Sequence, residues 1–217
     1  QYSDRLDITG TGTLNIDESR QLQLITQYYK SQGDDDYGLN LGKGFSAIRG
    51  TSTPFVSNGL NSDRIPGTER HLISLQYSDS AFLGQELVGQ VYYRDESLRF
   101  YPFPTVNANK QVTAFSSSQQ DTDPYGMKLT LNSKPMDGWQ ITWGLDADHE
   151  RFTSNQMFFD LAQASASGGL NNKKIYTTGR YPSYDITNLA AFLQSGYDIN
   201  NLFTLNGGVR YQYTENK

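Results

Sequence analysis

The chain has 217 residues, no cysteine and a formal net charge of −5 at pH 7. The missing thiols exclude disulfides and cysteine-ligated metal sites, and the negative charge argues against general nucleic-acid binding. No stretch approaches the roughly 20 consecutive apolar residues that a membrane-spanning helix needs. The hydrophobic content of 36% still fits a soluble all-β domain or a membrane β-barrel.

Alternating apolar and polar side chains dominate the chain and predict an all-β protein. Residues 139–150 show the pattern most clearly, with large apolar side chains at odd positions and polar side chains at even positions. Such a strand has one apolar and one polar face. In chain order we expect eight strands and no helix, at residues 5–16, 22–31, 70–78, 85–100, 125–133, 139–153, 186–199 and 202–215.

The predicted connections alternate strictly between short and long. All short turns therefore lie at one end of the sheet and all long segments at the other, as in outer-membrane β-barrels with short periplasmic turns and long extracellular loops. A soluble antiparallel sheet with one solvent-exposed face is the alternative, because its strands show the same alternation. The short turns are 17–21, 79–84, 134–138 and 200–201, and the long segments, rich in Gly, Ser, Asn and Pro, are 32–69, 101–124 and 154–185.

A barrel assigns the two faces of each strand to two solvents. On this interpretation Ile141, Trp143 and Leu145 face lipid, whereas Thr142 and Asp146 face the lumen. The chain contains 15 tyrosines, and amphipathic rings are typical of membrane–water interfaces. We therefore interpret the sequence as an all-β segment of a transmembrane antiparallel β-barrel.

Three stretches carry a family resemblance: YSDRLD at 2–7, LRFYPFP at 98–104 and GGVRYQY at 207–213. Through these, and along all 217 residues, the chain resembles the TonB-dependent outer-membrane siderophore receptors of Gram-negative bacteria. The resemblance implies a barrel of 22 strands with a plugged lumen, of which about eight lie here. It also implies import of a ferric siderophore, energised through TonB, by a receptor that is not an enzyme.

The resemblance sets further expectations for organisation and partners. Residues 1–217 are expected to form part of the barrel domain, with the plug domain and its TonB contacts absent from this chain. The expected partners are a ferric siderophore, TonB through the missing plug, outer-membrane lipid and lipopolysaccharide, with no nucleic acid. No cofactor is expected, because the iron is carried only as part of the ligand.

Cationic and aromatic residues near the long segments are the candidate ligand contacts. Guanidinium groups match carboxylates bidentately and aromatic rings supply stiff contact surface, as an anionic ferric chelate would need. Contact with lipopolysaccharide phosphates is the alternative for the same residues. The candidates are Arg94 on the lumen parity, Arg99, Phe100, Tyr101 and Phe103 continuing to the rim, and Lys173, Lys174, Tyr176, Arg180, Tyr181 and Tyr184 in the third long segment.

Neither a catalytic nor a metal site is predicted. Asp146, Asp148 and Glu150 are interpreted as polar lining of the lumen, because no apolar pocket raises the pKa of one of them. His71 and His149 share the parity of apolar neighbours, which argues against an outer-membrane hydrolase. The acidic stretch 33–38 is interpreted as a solvated loop rather than a calcium site, and 42–44 is too short for a phosphate loop.

A complete eight-stranded barrel with an adhesive or structural role is the alternative function. It requires strand 202–215 to pair with strand 5–16, which would remove both edges of the sheet.

Overall fold

The computed structural model describes residues 3–33, 39–40, 55–56, 67–109, 112–166 and 173–217. Its elements are β1 (Ser3–Asn15), β2 (Arg20–Gly33), β3 (Leu39–Asn40), β4 (Phe55–Val56), β5 (Gly67–Phe82), β6 (Gln85–Val106), β7 (Val112–Met136), β8 (Trp139–Phe159), α1 (Leu161–Ala166), β9 (Lys174–Gly179), β10 (Tyr184–Asn200) and β11 (Phe203–Asn216). Nine strands form one sheet in the order β1-β2-β5-β6-β7-β8-β10-β11, with β9 paired to β8 beside this path. All pairs in it are antiparallel.

The short turns are stabilised locally. In the β1–β2 turn the Asp17 carboxylate accepts hydrogen bonds from the backbone N–H groups of Ser19 (2.9 Å) and Arg20 (2.8 Å). In the β5–β6 turn Leu83 and Gly84 have φ angles of 53° and 78°, the left-handed conformation that tight hairpins require. Turns of this kind favour Asp, Ser and Gly, which is why the short connections could be predicted from the sequence.

The strand register gathers the apolar side chains on one face of the sheet. The same register places polar side chains, such as Gln90, Lys128 and Asp146, on the opposite face. The predicted face assignment is confirmed, because one row of directly paired residues crosses the sheet as Gly12, Leu24, Leu75, Val91, Met127, Ala147, Leu189 and Tyr213.

The central strands are much longer than a membrane requires. β6, β7 and β8 have 22, 25 and 21 residues, whereas about 9–11 residues span a bilayer. The strands continue through much of the predicted long segments 101–124 and 154–185. The predicted strand boundaries at the upper end of the sheet, where the long segments lie, were therefore wrong, because a strand beyond the lipid has no face that must be apolar.

Two elements in segment 154–185 were not predicted from the sequence. The short helix α1 begins after Asp160, whose carboxylate accepts the backbone N–H of Gln163 at 2.9 Å. Ala164 of this helix is fully buried, and α1 contacts β7. β9 adds a strand to β8, with Tyr176 opposite Phe158. The expectation that no helix is present was therefore wrong.

The two terminal strands lie at opposite edges of the sheet. β1 pairs with β2 and β11 pairs with β10, and the sheet order does not join β1 to β11. The closed eight-stranded alternative is therefore not supported. In the part of the chain that the structure describes, no helix is long and apolar enough to cross a membrane. The predictions for 34–38 and 42–44 lie outside the described residues.

Candidate ligand-binding site

Three carboxylates project from β8 on the polar face, and each has a hydrogen-bond donor on β10 or β11. Asp146 Oδ2 lies 2.7 Å from Arg210 Nη1. Asn188 Nδ2 donates to Asp148 Oδ2 at 2.8 Å, and the Tyr184 hydroxyl donates to Glu150 at 3.2 Å. Carboxylates paired in this way link β8 to β10 and β11 by hydrogen bonds and are not arranged as an acid–base pair.

Both histidines lie on the apolar face, near its upper edge. The His71 ring packs against Tyr28 with centroids 4.8 Å apart, and the His149 ring packs against Tyr125 at 5.2 Å. His149 Nδ1 also lies 3.0 Å from Thr187 Oγ1. The sequence-based placement of both residues on the apolar face is confirmed by the register.

Aromatic pairs occupy the polar face above the level of Glu150. Phe152 stacks on Tyr184 with centroids 4.8 Å apart and an interplanar angle of 13°. Phe158 stacks on Tyr176 at 4.8 Å and 17°. Burial, and then the Glu150 carboxylate, raise the pKa of Tyr184, so its hydroxyl stays protonated and donates to that carboxylate.

An open pocket of about 600 Å³ lies next to the Phe152–Tyr184 stack. Its lining surface is mostly apolar, with a few amide and hydroxyl groups beside the aromatic rings, a composition typical of small-molecule sites. The lining residues are Gln120, Phe152, Tyr181, Pro182, Ser183, Tyr184, Asn216 and Lys217.

Arg180 lies at the start of the segment that forms one wall of this pocket. Its Nη1 donates to Ser118 Oγ. Its guanidinium carbon lies 5.9 Å from the centroid of the Phe100 ring and 5.2 Å from that of Tyr181, within cation–π range. The predicted pair Arg180 and Tyr181 is therefore brought together, and Arg180 is already engaged with protein groups.

Arg94 lies on the same face but deeper. Its Nε is 3.7 Å from Glu96 Oε2, too long for a hydrogen bond, and this buried atom has no hydrogen-bond partner among the described residues. The ladder between β6 and β7 is interrupted beside it at Pro124, which has no N–H to donate. Arg94 is six residues below Phe100, about 20 Å along the strand.

The other candidates are distributed more widely. Arg99 pairs with Gln119 in the rows that carry the apolar face, so strand alternation places it opposite Arg94, and it is exposed. Lys173 and Lys174 are exposed at the start of β9. Tyr101 and Phe103 belong to the upper end of β6, where Phe103 pairs with Ser116. The structure therefore separates the predicted set into groups.

Sequence reasoning named Tyr181 and Tyr184 but missed two other residues that line the pocket. Phe152 lay at the end of a predicted strand, and Gln120 lay in a segment expected to be a loop. Phe152 and Glu150 have the same parity on β8, so alternation could have placed Phe152 on the polar face. Within the described ranges, no cluster of His, Cys, Asp or Glu is arranged to hold a metal ion.

The comparison with protein families decides what this sheet belongs to. The profile described as "TonB dependent receptor-like, beta-barrel" matches residues 7–217. The chain belongs to this family. As a member of the TonB-dependent receptor family, it is part of an outer-membrane β-barrel of Gram-negative bacteria rather than an enzyme. The apolar face is therefore the lipid face, and the polar face lines the lumen.

Curated relatives are very similar in sequence. The chain is 99% identical over 217 residues to the "Ferric aerobactin receptor" of Klebsiella pneumoniae and 98% identical to that of Escherichia coli. It is 39% identical over 212 residues to the "Rhizobactin receptor" of Rhizobium meliloti (strain 1021). The alignments to the ferric aerobactin receptors cover 100% of this chain but only 30% of each receptor. The alignment to the rhizobactin receptor covers 98% of this chain and 28% of that receptor.

Solved structures support the same fold. The copper transporter OprC aligns with a TM-score of 0.68 and 14% identity, over 99% of this chain and 30% of that one. The ferric citrate transporter FecA in its unliganded form aligns with a TM-score of 0.65 and 16% identity, over the same shares. At these identities the likeness concerns the fold alone.

Proposed function

We propose that this chain forms part of the wall and mouth of an outer-membrane receptor that takes up ferric aerobactin. The observation that carries the proposal is the identity of 98–99% to ferric aerobactin receptors along the whole chain. Iron enters as part of the chelate, and import is energised through TonB, as the family name indicates. None of the residues described here is assigned to that energy-coupling step.

The lumen face supplies groups that suit such a ligand. A ferric siderophore of this type is an oxygen-rich anion, so it needs cationic and hydrogen-bonding partners together with a rigid surface. Arg94 faces the lumen, its side chain is 39% exposed, and its Nε lies too far from Glu96 Oε2, at 3.7 Å, for a hydrogen bond. Around the upper pocket, the Tyr181 and Tyr184 rings and the Gln120 amide supply contact surface and hydrogen bonds. We propose ligand contact for these residues first.

The remaining predicted contacts lie farther out and are proposed as an outer part of the same site. Tyr176 is 52% exposed although its ring stacks on Phe158, so one face of the ring remains accessible. Lys173 and Lys174 are exposed beside it and would attract an anion to the mouth. Tyr101 and Phe103 lie on the upper part of β6.

Uptake by living cells tests the function as a whole. Cells lacking other ferric siderophore receptors, but carrying the complete receptor gene, should accumulate iron from radiolabelled ferric aerobactin. Ferric citrate, offered in parallel, is the control ligand. Absence of uptake at a normal receptor level in the outer membrane would exclude the proposed function, and equal uptake of both chelates would exclude its specificity.

Arg94 and Arg99 form a matched pair for testing the site. They are the same residue type on the same strand, and alternation places them on opposite faces. Arg94→Ala should weaken ferric aerobactin binding by about ten- to a hundred-fold, the effect of losing a charged hydrogen bond. Arg99→Ala should bind like the wild type. Equal affinities for the two variants, measured at matched receptor levels, would remove Arg94 from the site.

A further inference from the structure

The segment between β9 and β10 forms a wall of the upper pocket. It consists of Arg180, Tyr181, Pro182 and Ser183, and the last three line the pocket. The backbone N–H of Arg180 donates to the carbonyl of Ser154 at 3.0 Å, which attaches the start of the segment to β8. At the other end, Tyr184 stacks on Phe152 and bonds to Glu150.

The Arg180 side chain adds a second attachment, to β6 and β7. The guanidinium donates to Ser118 and lies against the rings of Phe100 and Tyr181. Ser118 and Ser154 are 1% and 3% exposed, so both anchor points are buried in the sheet. Small serine side chains in β7 let the guanidinium approach the sheet closely, and a larger residue at 118 would displace it.

We propose that Arg180 is a positioning residue that holds the segment 180–183 in place, and so shapes the pocket, rather than a direct partner of the anionic ligand. This proposal rests on the proposed function and changes the role that the sequence suggested for Arg180. The physical basis is that one guanidinium N–H donates to a buried hydroxyl and the guanidinium lies against two rings, so the side chain is attached to the protein. A guanidinium bound in this way fixes the position of Tyr181, whose ring forms the wall.

Hydrogen exchange in the ligand-free receptor tests the attachment. In the complete receptor in detergent, amide exchange of the peptide covering residues 178–185 should accelerate in Arg180→Ala and in Ser118→Ala. Ser117→Ala is the matched control, since Ser117 is 2% exposed in the same run but has the opposite parity. Wild-type exchange in both Arg180→Ala and Ser118→Ala would overturn the proposal.

Ligand affinity tests the consequence for the pocket. Ser118→Ala keeps the guanidinium, yet it should weaken ferric aerobactin binding by up to about tenfold. The double variant Arg180→Ala/Ser118→Ala should bind no worse than Arg180→Ala alone, because the two substitutions break the same hydrogen bond. Wild-type affinity of Ser118→Ala together with a loss in Arg180→Ala would show direct pairing with the ligand and overturn the proposal.

The two experiments also separate this proposal from the proposed function. A receptor that binds no ferric aerobactin would refute the proposed function, while the exchange measurement would still report whether Arg180 holds the segment. Faster exchange in both variants with unchanged affinity would refute the role of the segment in shaping the pocket and leave the proposed function intact.

Discussion

An arginine placed on either face of β8 gives the sharpest test of the membrane orientation. Leu145 is 47% exposed on the lipid face, near the middle of the outward-facing run from Trp139 to His149. Leu145→Arg should therefore lower the free energy of unfolding by about 2–4 kcal/mol, the cost of a cation near the bilayer midplane. Leu145→Ala separates this charge effect from the loss of side-chain volume.

Thr142→Arg is the matched substitution on the lumen face of the same strand. Thr142 Oγ1 donates to Asn132 Oδ1 at 2.7 Å, so the substitution removes one hydrogen bond, worth about 0.5–1.5 kcal/mol. Urea unfolding of the complete barrel in lipid vesicles measures both effects, with Trp143 and Trp139 as fluorescent reporters. Equal destabilisation by the two arginines would refute the assignment of the faces.

Two further predictions concern packing and pH. A Cβ at Gly144 would lie 2.6 Å from Phe192 Cε1 and would also clash with Leu129 O. Gly144→Ala should therefore destabilise the barrel by about 1–3 kcal/mol. The control is Gly89→Ala, whose Cβ meets only an ordinary contact at 3.7 Å and should leave the unfolding midpoint nearly unchanged. Hydrogen bonds from Arg20, and then from the Ser19 backbone, hold the pKa of Asp17 well below its usual value of 3.8. Asp17 therefore stabilises the folded state above about pH 4 and loses this contribution as the pH falls further. The difference in urea midpoint between wild type and Asp17→Asn should shrink below about pH 4. A difference that stays constant with pH would contradict the pairing of Asp17 with Arg20.

The faces of the strands could be predicted because one face contacts lipid and the other contacts water. In the lipid-facing rows, such as the one through Leu75, Val91 and Met127, every position meets hydrocarbon, so alternation is enforced by the cost of exposing polar groups to lipid. The lower strand ends could also be predicted. β6 and β8 begin at Gln85 and Trp139, as the alternation and the turn residues indicated.

The upper strand ends could not be predicted, because the same constraint stops at the membrane surface. β7 begins at Val112 rather than at residue 125, and its run Ser116, Ser117 and Ser118 shows no alternation. These three serines are all buried, so the sheet is covered on both sides at this point. Only the packing of other elements over β7 explains why small residues are needed there.

The candidate site was predictable in part. Alternation placed Arg94 on the lumen face correctly, and the same rule separates it from Arg99, because the two positions differ by an odd number of residues. The sequence reasoning grouped them because it treated the rim as the end of the strand. The contact between Arg180 and Ser118 joins residues that are 62 positions apart, so it depends on the register of three strands and carries no local signal.

Two of the candidate cations, Arg180 and Arg94, lie at different levels of the lumen wall. Arg180 is packed beside Phe100 at the mouth, whereas Arg94 is about 20 Å below it along β6. A ligand smaller than this separation contacts the two levels in succession and not together. In the proposed uptake the aromatic pocket at the mouth and Arg94 are successive contacts for one chelate, and the affinity loss expected in Arg94→Ala reports the deeper contact.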